Sequence, residues 1–223
     1  VNNAMGAVLA PFRTLTPDEF RRVTDVTYLG FVNGTRAALE LMVPRDRGVI
    51  IQVGSALAYR SIPLQSAYCG AKAAIRGFTD AVRTELMHEN SRVQLSMVRM
   101  PGLNTPQFDW ARNKFAWAMR PVPPVFEPEV AESAIFKVAQ KPVPELWVGS
   151  STIQSIVGQF LFPGFLDRLM VKKAWEGQMT DDLNDRDRQD YLDQPVNDLH
   201  KIHGRFTPEA KNRATAITSG VPG

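Results

Sequence analysis

The sequence predicts an α/β fold built on a parallel sheet, and three observations predict it. Helical and strand-like segments alternate along the first part of the chain, which is typical of parallel α/β folds. The strand-like segments are short, nearly continuous apolar runs of the kind found in strands buried on both faces. Apolar residues make up 44% of the chain and charged residues 22%, an ordinary globular composition, so a core can be buried.

The first predicted elements are a long helix and a buried strand. Thr16 is a good N-cap, Pro17 suits the first helical position, and acidic residues fill the first turn, so we expect a helix from Pro17 to about Met42. A turn over 44–48 follows. The apolar run 48–54 predicts a strand.

The pattern then repeats. Apolar positions at helical spacing predict a long helix over 66–88, and the run 93–98 predicts the next strand. The aromatic and proline-rich segment 107–124 predicts a loop and short helix that cover a site; Phe108, Trp110, Phe115 and Trp117 either line a substrate pocket or anchor that loop. We expect one more helix over 128–140 and a last strand over 145–148.

Three regions follow from this pattern. Residues 1–149 form the α/β domain, and residues 150–178 form a helical extension with two apolar helices broken at Pro163 and Gly164. Residues 179–223 are rich in Asp, Asn and Arg, and we expect an irregular tail there.

Three polar side chains converge on one edge of the predicted sheet. Ser55 ends a buried strand, and open α/β sheets bind ligands at the carboxyl ends of their strands. Tyr68 and Lys72 lie four residues apart on a helix and so share a face. A neighbouring ammonium lowers the pKa of a phenol, and a hydroxyl can stabilise negative charge on a substrate oxygen. The set suits carbonyl and alcohol redox chemistry, although Ser55 would also serve as a plain strand-end cap.

This stretch resembles the short-chain dehydrogenase/reductase family. In VIIQVGSALAYRSIPLQSAYCGAKAAIRGFTDAVRTEL the tyrosine follows the serine by 13 positions and the lysine follows the tyrosine by four, as in that family. The segments VNNAMG, VTDVTYLGFVNGTRAAL and RMPGLNTPQF resemble three further family segments in the same order. The resemblance covers about Val1 to Gly149. It implies a Rossmann-like, doubly wound parallel sheet that lacks its first strands.

The resemblance also implies an activity and a cofactor. It implies hydride transfer between NAD or NADP and a secondary alcohol or ketone, with a small apolar substrate. Tyr68 would be the acid/base, Lys72 would lower the tyrosine pKa and bind the nicotinamide ribose, and Ser55 would orient the substrate oxygen. Further cofactor contacts are implied at Asn2, Ala4, Pro101 and Gly102, although the asparagines at the start are also common turn formers.

The chain departs from the family pattern in three places. No G-x-x-x-G-x-G phosphate-binding turn occurs in it, so we expect a partial, N-terminally truncated chain. Met5 replaces the glycine of the Asn-Asn-Ala-Gly turn, and Thr27 replaces an asparagine that holds a proton-relay water. These departures support an alternative, a non-catalytic or cofactor-deficient fragment of the same fold that acts as a binding or scaffold protein.

Composition restricts the partners. A net charge of +3 without a basic cluster argues against nucleic acid. The single Cys69 predicts a cytoplasmic, reducing environment and a buried inert thiol. His200 and His203 lack companion ligands, so we expect no metal. Residues 151–173 either contact a membrane surface or pack on the sheet or a partner. The resemblance leaves a homo-oligomer open.

Overall fold

The structure, a computed structural model, describes residues 1–185, 188–197 and 200–219. Its helices, in chain order, are α1 (Pro17–Thr24), α2 (Gly30–Met42), α3 (Ser66–His88), α4 (Gln107–Trp110), α5 (Pro128–Gln140), α6 (Ser150–Leu161) and α7 (Pro163–Leu169). Its strands are β1 (Val8–Leu9), β2 (Gly48–Ser55), β3 (Val93–Met100), β4 (Gly102–Leu103), β5 (Arg112–Asn113), β6 (Trp117–Met119), β7 (Val125–Phe126), β8 (Glu145–Val148), β9 (Met179–Leu183) and β10 (Ala216–Ser219).

The central sheet has the strand order β10-β8-β3-β2. Strands β2, β3 and β8 run parallel, and β10 pairs antiparallel with β8. At the opposite edge Asn2 forms a parallel bridge with Gln52 of β2: the Asn2 N–H donates to the Ile51 carbonyl and the Val53 N–H donates to the Asn2 carbonyl, each at 2.9 Å. The predicted α/β fold with a parallel sheet is therefore confirmed.

Helices cover both faces of this sheet, as expected for a doubly wound fold. Ile51 and Val53 pack with Val130 and Ala134 of α5 on one face. Ile50 and its neighbours pack with residues of α2 and α3 on the other face. Alternate residues of β2 thus point into two separate cores, which explains why its sequence is apolar without interruption.

The predicted helix from Pro17 to Met42 forms with one irregularity. Thr16 and Glu19 make a reciprocal capping box, in which the Thr16 side chain accepts from the Glu19 N–H and the Glu19 carboxylate accepts from the Thr16 N–H. Residues 25–29 widen into a π-helical turn between α1 and α2. The helix is therefore continuous but changes pitch beside Thr27, next to the candidate site.

The covering segment 107–124 forms α4, β5 and β6, and its aromatic residues divide between two environments. Phe108 is buried in a cluster with Leu9, Leu64 and Phe206, so it is a core residue. Trp117 is 45% exposed. Phe108 thus anchors the covering segment to the core, in line with the interpretation that the aromatic residues anchor this loop.

The expectation of an irregular tail after residue 178 is wrong in part. Strand β9 pairs with β6, and β10 extends the central sheet. Leu192 and Phe206 are 6% exposed and belong to the core. Isolated apolar residues in a polar stretch carry no periodicity, so the sequence pattern did not reveal this packing. Residues 186, 187, 198, 199 and 220–223, to which the same expectation applied, lie outside the described residues.

Within the described ranges, no helix combines the length and the apolar character needed to cross a bilayer.

Candidate active site

Ser55 and Tyr68 meet at the carboxyl end of β2. Ser55 is the last residue of the strand, and its hydroxyl accepts a hydrogen bond of 3.1 Å from the Leu57 N–H, which fixes its rotamer. The loop that follows returns the chain to the start of α3, where Tyr68 lies in the first turn. The Ser55 side chain lies close enough to Tyr68 for hydrogen bonding to lower the pKa of the phenol. The structure therefore brings together the two hydroxyls that the sequence pattern singled out.

Lys72 lies one helical turn beyond Tyr68 and points at the same edge of the sheet. Its ammonium is 5.6 Å from the centre of the Tyr68 ring and 4.9 Å from that of Phe31. The Nζ atom donates a hydrogen bond of 2.7 Å to the Val53 carbonyl. Because Val53 belongs to β2, this bond ties the helix to the strand that carries Ser55.

Burial acts on both ionisable groups of this set, in opposite directions. It raises the pKa of Tyr68, against a lowering by the hydrogen bond from Ser55. Burial, with a smaller contribution from repulsion by the Arg99 guanidinium, lowers the pKa of Lys72 to about 7. Lys72 does not lower the pKa of Tyr68 in this geometry, contrary to expectation; desolvation of the phenol is the largest effect and raises that pKa.

The lowered pKa of Lys72 predicts a pH dependence of stability. An unfolded lysine titrates near ~10.4, so between pH 7 and that value the unfolded chain binds a proton that the folded chain has released. Stability contributed by Lys72 therefore rises with pH across this window, by at most about 1.4 kcal/mol per pH unit. We expect Lys72→Met to flatten the urea-unfolding free energy between pH 7 and 8.5. An unchanged slope in the variant would contradict the assignment; Lys137→Met, at an exposed position, is the control.

Asn2 and Thr27 occupy the family positions for cofactor and proton-relay contacts, but their side chains hydrogen-bond to other groups of the protein. Asn2 donates to Gln52 Oε1 at 2.8 Å and to Thr35 Oγ1 at 3.2 Å. Thr27 is fully buried, and its hydroxyl accepts from the Gly6 N–H at 2.9 Å and donates to the Gly6 carbonyl at 3.2 Å. Because its single proton is committed to Gly6, Thr27 anchors the segment before β1 instead of holding a relay water.

The other implied cofactor contacts lie around the same edge. Ala4 is exposed just ahead of β1. Pro101 and Gly102 follow β3, and Gly102 pairs in parallel with Val125. A side chain at Gly102 would approach the Val122 carbonyl to 2.9 Å, so the close passage of two backbones requires glycine there.

The segment 188–193 also reaches this site, and the sequence pattern did not predict it. Leu192 packs with Ala67 and Tyr68. The Tyr191 hydroxyl lies 3.5 Å from Met5 Sδ, and proximity to Tyr68 contributes to its raised pKa, after burial. Arg112 anchors the segment by ion pairs of 2.7 Å to Asp190 and 2.6 Å to Asp193. The C-terminal segment therefore forms one wall beside the tyrosine.

The other residues singled out by the sequence, Cys69, His200 and His203, lie elsewhere, and His200 is exposed. Cys69 is buried on α3, and burial raises the pKa of its thiol, which fits the predicted inert role. His203 contacts Glu129 at 2.7 Å, and Glu127 lies close enough for the three ligand atoms to be within 4.8 Å of one another. Glu127 and Glu129 stand at the N-terminus of α5, where acidic side chains are stabilised without a metal.

Comparison with known proteins identifies the family. The short chain dehydrogenase family matches residues 1–114, which include Ser55, Tyr68, Lys72 and Gly102. The chain belongs to this family of oxidoreductases, whose cofactor is NAD or NADP.

Individual relatives agree with this assignment. The uncharacterized oxidoreductase YxnA of Bacillus subtilis is 31% identical over 182 residues, 80% of this chain and 51% of YxnA. The human dehydrogenase/reductase SDR family member 7 is 42% identical over 69 residues, 31% of this chain and 20% of the relative. The chain thus spans about half the length of YxnA, or less in the case of the human protein.

A solved structure shows the same fold. The short chain dehydrogenase of Burkholderia cenocepacia J2315, determined in complex with NADP, superposes with a TM-score of 0.64 at 22% identity. The match covers 77% of this chain and 67% of that protein. The Rossmann-like architecture implied by the sequence resemblance is therefore confirmed.

Proposed function

We propose that this chain carries the catalytic half of an oxidoreductase that interconverts a secondary alcohol and a ketone with a nicotinamide cofactor. The observation that carries the proposal is the meeting of Ser55 and Tyr68 at the end of β2, with the Lys72 Nζ atom 5.6 Å from the centre of the tyrosine ring. All three stand at the carboxyl edge of the sheet, where open α/β folds bind their ligands.

Tyr68 is the proposed acid/base. In reduction, its hydroxyl gives a proton to the carbonyl oxygen as that oxygen becomes an alcohol; in oxidation, the phenolate takes the proton back. Burial raises the pKa of Tyr68, so the phenol is protonated at neutral pH, the form that reduction requires. Ser55, held by the Leu57 N–H, donates to the substrate oxygen and stabilises the charge that develops there.

Lys72 is proposed to hold the cofactor. The bond to the Val53 carbonyl fixes the position of Lys72 Nζ. The charged form keeps two further N–H donors for ribose hydroxyls, and the neutral amine, which dominates above its pKa of about 7, keeps one. Pro101 and Gly102 would flank the nicotinamide, and the exposed Ala4 would border the adenosine side. Asn2 would support that side indirectly, since its amide is engaged by Gln52 and Thr35. When bound, the nicotinamide supplies or accepts the hydride.

The apolar walls favour an apolar substrate. Leu192 borders Tyr68, and the Tyr191 hydroxyl donates to Met5 Sδ at 3.5 Å and is near enough to Tyr68 to feel its charge. An apolar alcohol or ketone would lose little on entering such a site, whereas a charged substrate would lose its hydration without a compensating partner. We therefore expect ketones with aliphatic or aromatic substituents to be preferred over keto acids.

Replacement of Tyr68 tests the proposal. We expect Tyr68→Phe in the natural gene product to lower kcat for ketone reduction by about 10²- to 10⁴-fold, since it removes only the transferable proton. The measurement is NADH and NADPH consumption with a panel of aliphatic, aromatic and keto-acid substrates. Tyr28→Phe, another partly buried tyrosine, which packs edge-on against Phe78, is the matched control and should keep the activity.

Two results would overturn the proposal. Full activity of Tyr68→Phe would remove the acid/base role. No turnover of any substrate by the unaltered protein, together with no saturable binding of either cofactor by isothermal titration, would instead favour the scaffold alternative.

A further inference from the structure

The helical extension presents an apolar and basic surface to solvent. Helix α6 ends at Leu161, and after Phe162 the chain reverses into α7, which continues as a π-helical turn to Ala174. Six large apolar side chains here have exposed fractions between 39% and 74%: Phe160, Leu161, Phe162, Phe165, Val171 and Trp175. Soluble monomers rarely expose a contiguous apolar patch of this kind without a function for it.

The exposed face of the second helix mixes these apolar residues with cations. Positions 165, 168, 172 and 175 follow one another in steps of three or four residues, and 171 adjoins 172, so these positions lie toward one side of the helix, and all five are exposed. Leu166, Leu169, Met170 and Ala174 are covered on the other side, and Leu166 lies against Gly158 of α6. The outward face therefore carries Phe165, Val171 and Trp175 beside Arg168 and Lys172.

Charge on this surface is mainly positive. Arg168, Lys172 and Lys173 lie within it, whereas Asp167 is paired with Arg60 at 2.8 Å and Glu176 lies one residue beyond Trp175. Lysine is depleted at the centres of protein interfaces. Cations beside tryptophan and phenylalanine are instead typical of helices in the headgroup region of a bilayer, where apolar groups insert and cations meet anionic lipids.

We propose that the surface formed by residues 160–175 docks the protein on an anionic lipid membrane, with the aromatic side chains inserted and Arg168, Lys172 and Lys173 at the headgroup phosphates. The observation that carries the proposal is the coincidence, on one exposed surface, of solvent-exposed aromatic residues and cations. Phe160 and Trp175 each also contact an aromatic ring of the protein, Tyr59 and Phe115, and keep 66% and 39% of their surface exposed. The proposal does not depend on the oxidoreductase activity.

Co-sedimentation with vesicles tests it. We expect the protein to pellet with vesicles of 70% phosphatidylcholine and 30% phosphatidylglycerol, and to stay in solution with pure phosphatidylcholine. Lys172→Glu combined with Lys173→Glu should weaken the partition on the order of tenfold or more, because each basic residue near an anionic surface contributes measurably. Phe160→Ser combined with Phe165→Ser should abolish pelleting, because insertion of the apolar rings is lost.

Matched controls lie on α5 and at the residue that follows it. Phe136 is 63% exposed, and Lys137 and Lys141 are exposed cations outside the proposed surface. Phe136→Ser, and Lys137→Glu combined with Lys141→Glu, should leave vesicle binding unchanged. Because all of these positions are exposed, thermal unfolding by circular dichroism should verify that every variant stays folded.

Three outcomes would overturn the proposal: no pelleting with anionic vesicles, equal loss in the α5 controls, or equal binding to both lipid compositions. A fourth is a change of oligomeric state in the Phe160 and Phe165 variant, by analytical ultracentrifugation, without vesicle binding in the parent. That result would assign the surface to a second copy of the chain. As a direct readout, brominated phosphatidylglycerol should quench the tryptophan emission of the parent protein. In Trp175→Leu the quenching should fall to the part contributed by the remaining tryptophans.

Discussion

Replacing Glu145 by glutamine is expected to destabilise the protein by about 3–5 kcal/mol, as measured by urea unfolding. Glu145 begins β8, and its carboxylate accepts from Arg99 Nε at 2.7 Å and from the Tyr59 hydroxyl at 3.0 Å; Arg99 Nη2 and the Trp147 indole N–H are further partners. Arg99 is fully buried in β3. The glutamine variant leaves this guanidinium buried without its counter-charge, which is the costly part of the change.

A second substitution separates this explanation from a loss of packing. Arg99→Met in the Glu145→Gln background removes the orphaned charge, so we expect the double variant to recover at least half of the lost stability. Asp80→Asn breaks an exposed ion pair with Arg83 and serves as the control, with an expected cost of at most about 0.5 kcal/mol. A double variant no more stable than Glu145→Gln would show that the charge is not the cause.

The buried ion pair of Arg99 and Glu145 also affects the candidate site. Repulsion from Arg99 contributes to the lowered pKa of Lys72. With Glu145 neutralised, the guanidinium charge is less compensated, and we expect the pKa of Lys72 to fall further. The ion pair thus supports the ammonium that is proposed to bind the cofactor.

The sequence predicted the framework well where local patterns suffice. The strand over 48–54, the helix over 66–88 and the helix over 128–140 form with the predicted bounds or within a residue of them. The spacing of Ser55, Tyr68 and Lys72 predicted their meeting because a strand end and one helix face fix the geometry.

Features that depend on distant contacts were beyond the sequence pattern. Arg99 interrupts an apolar strand, and only the register of β3 against β8, in which Met97 lies opposite Glu145, places an acid beside it. Tyr191 and Leu192 reach Tyr68 across more than a hundred residues of chain. No local periodicity encodes such contacts, and the same reason hid the packing of the tail.

Replacing Phe206 by alanine is the second change with a large expected effect, a loss of about 3–5 kcal/mol of unfolding free energy. Phe206 is 6% exposed and packs edge-on against Phe108, with ring centres 6.0 Å apart. It also contacts the cluster of Leu9, Leu64 and Met119 beside the candidate site. Phe136→Ala on α5, where the ring is 63% exposed, is the matched control and should change stability by less than about 1 kcal/mol.

This prediction separates two descriptions of the C-terminal region. For an irregular tail, removal of one phenylalanine ring would cost no more than the control. In the structure, the Phe206 N–H donates to the buried Asn104 side chain at 2.9 Å, and the Asn104 amide donates to Glu127 and Thr207. The ring is thus held where the segment after β3 meets α5, close to Gly102. Because that junction would flank the nicotinamide, Phe206→Ala should weaken cofactor binding as well as folding. If Phe206→Ala and Phe136→Ala proved equally stable, the residues after 178 would not be part of the folded core.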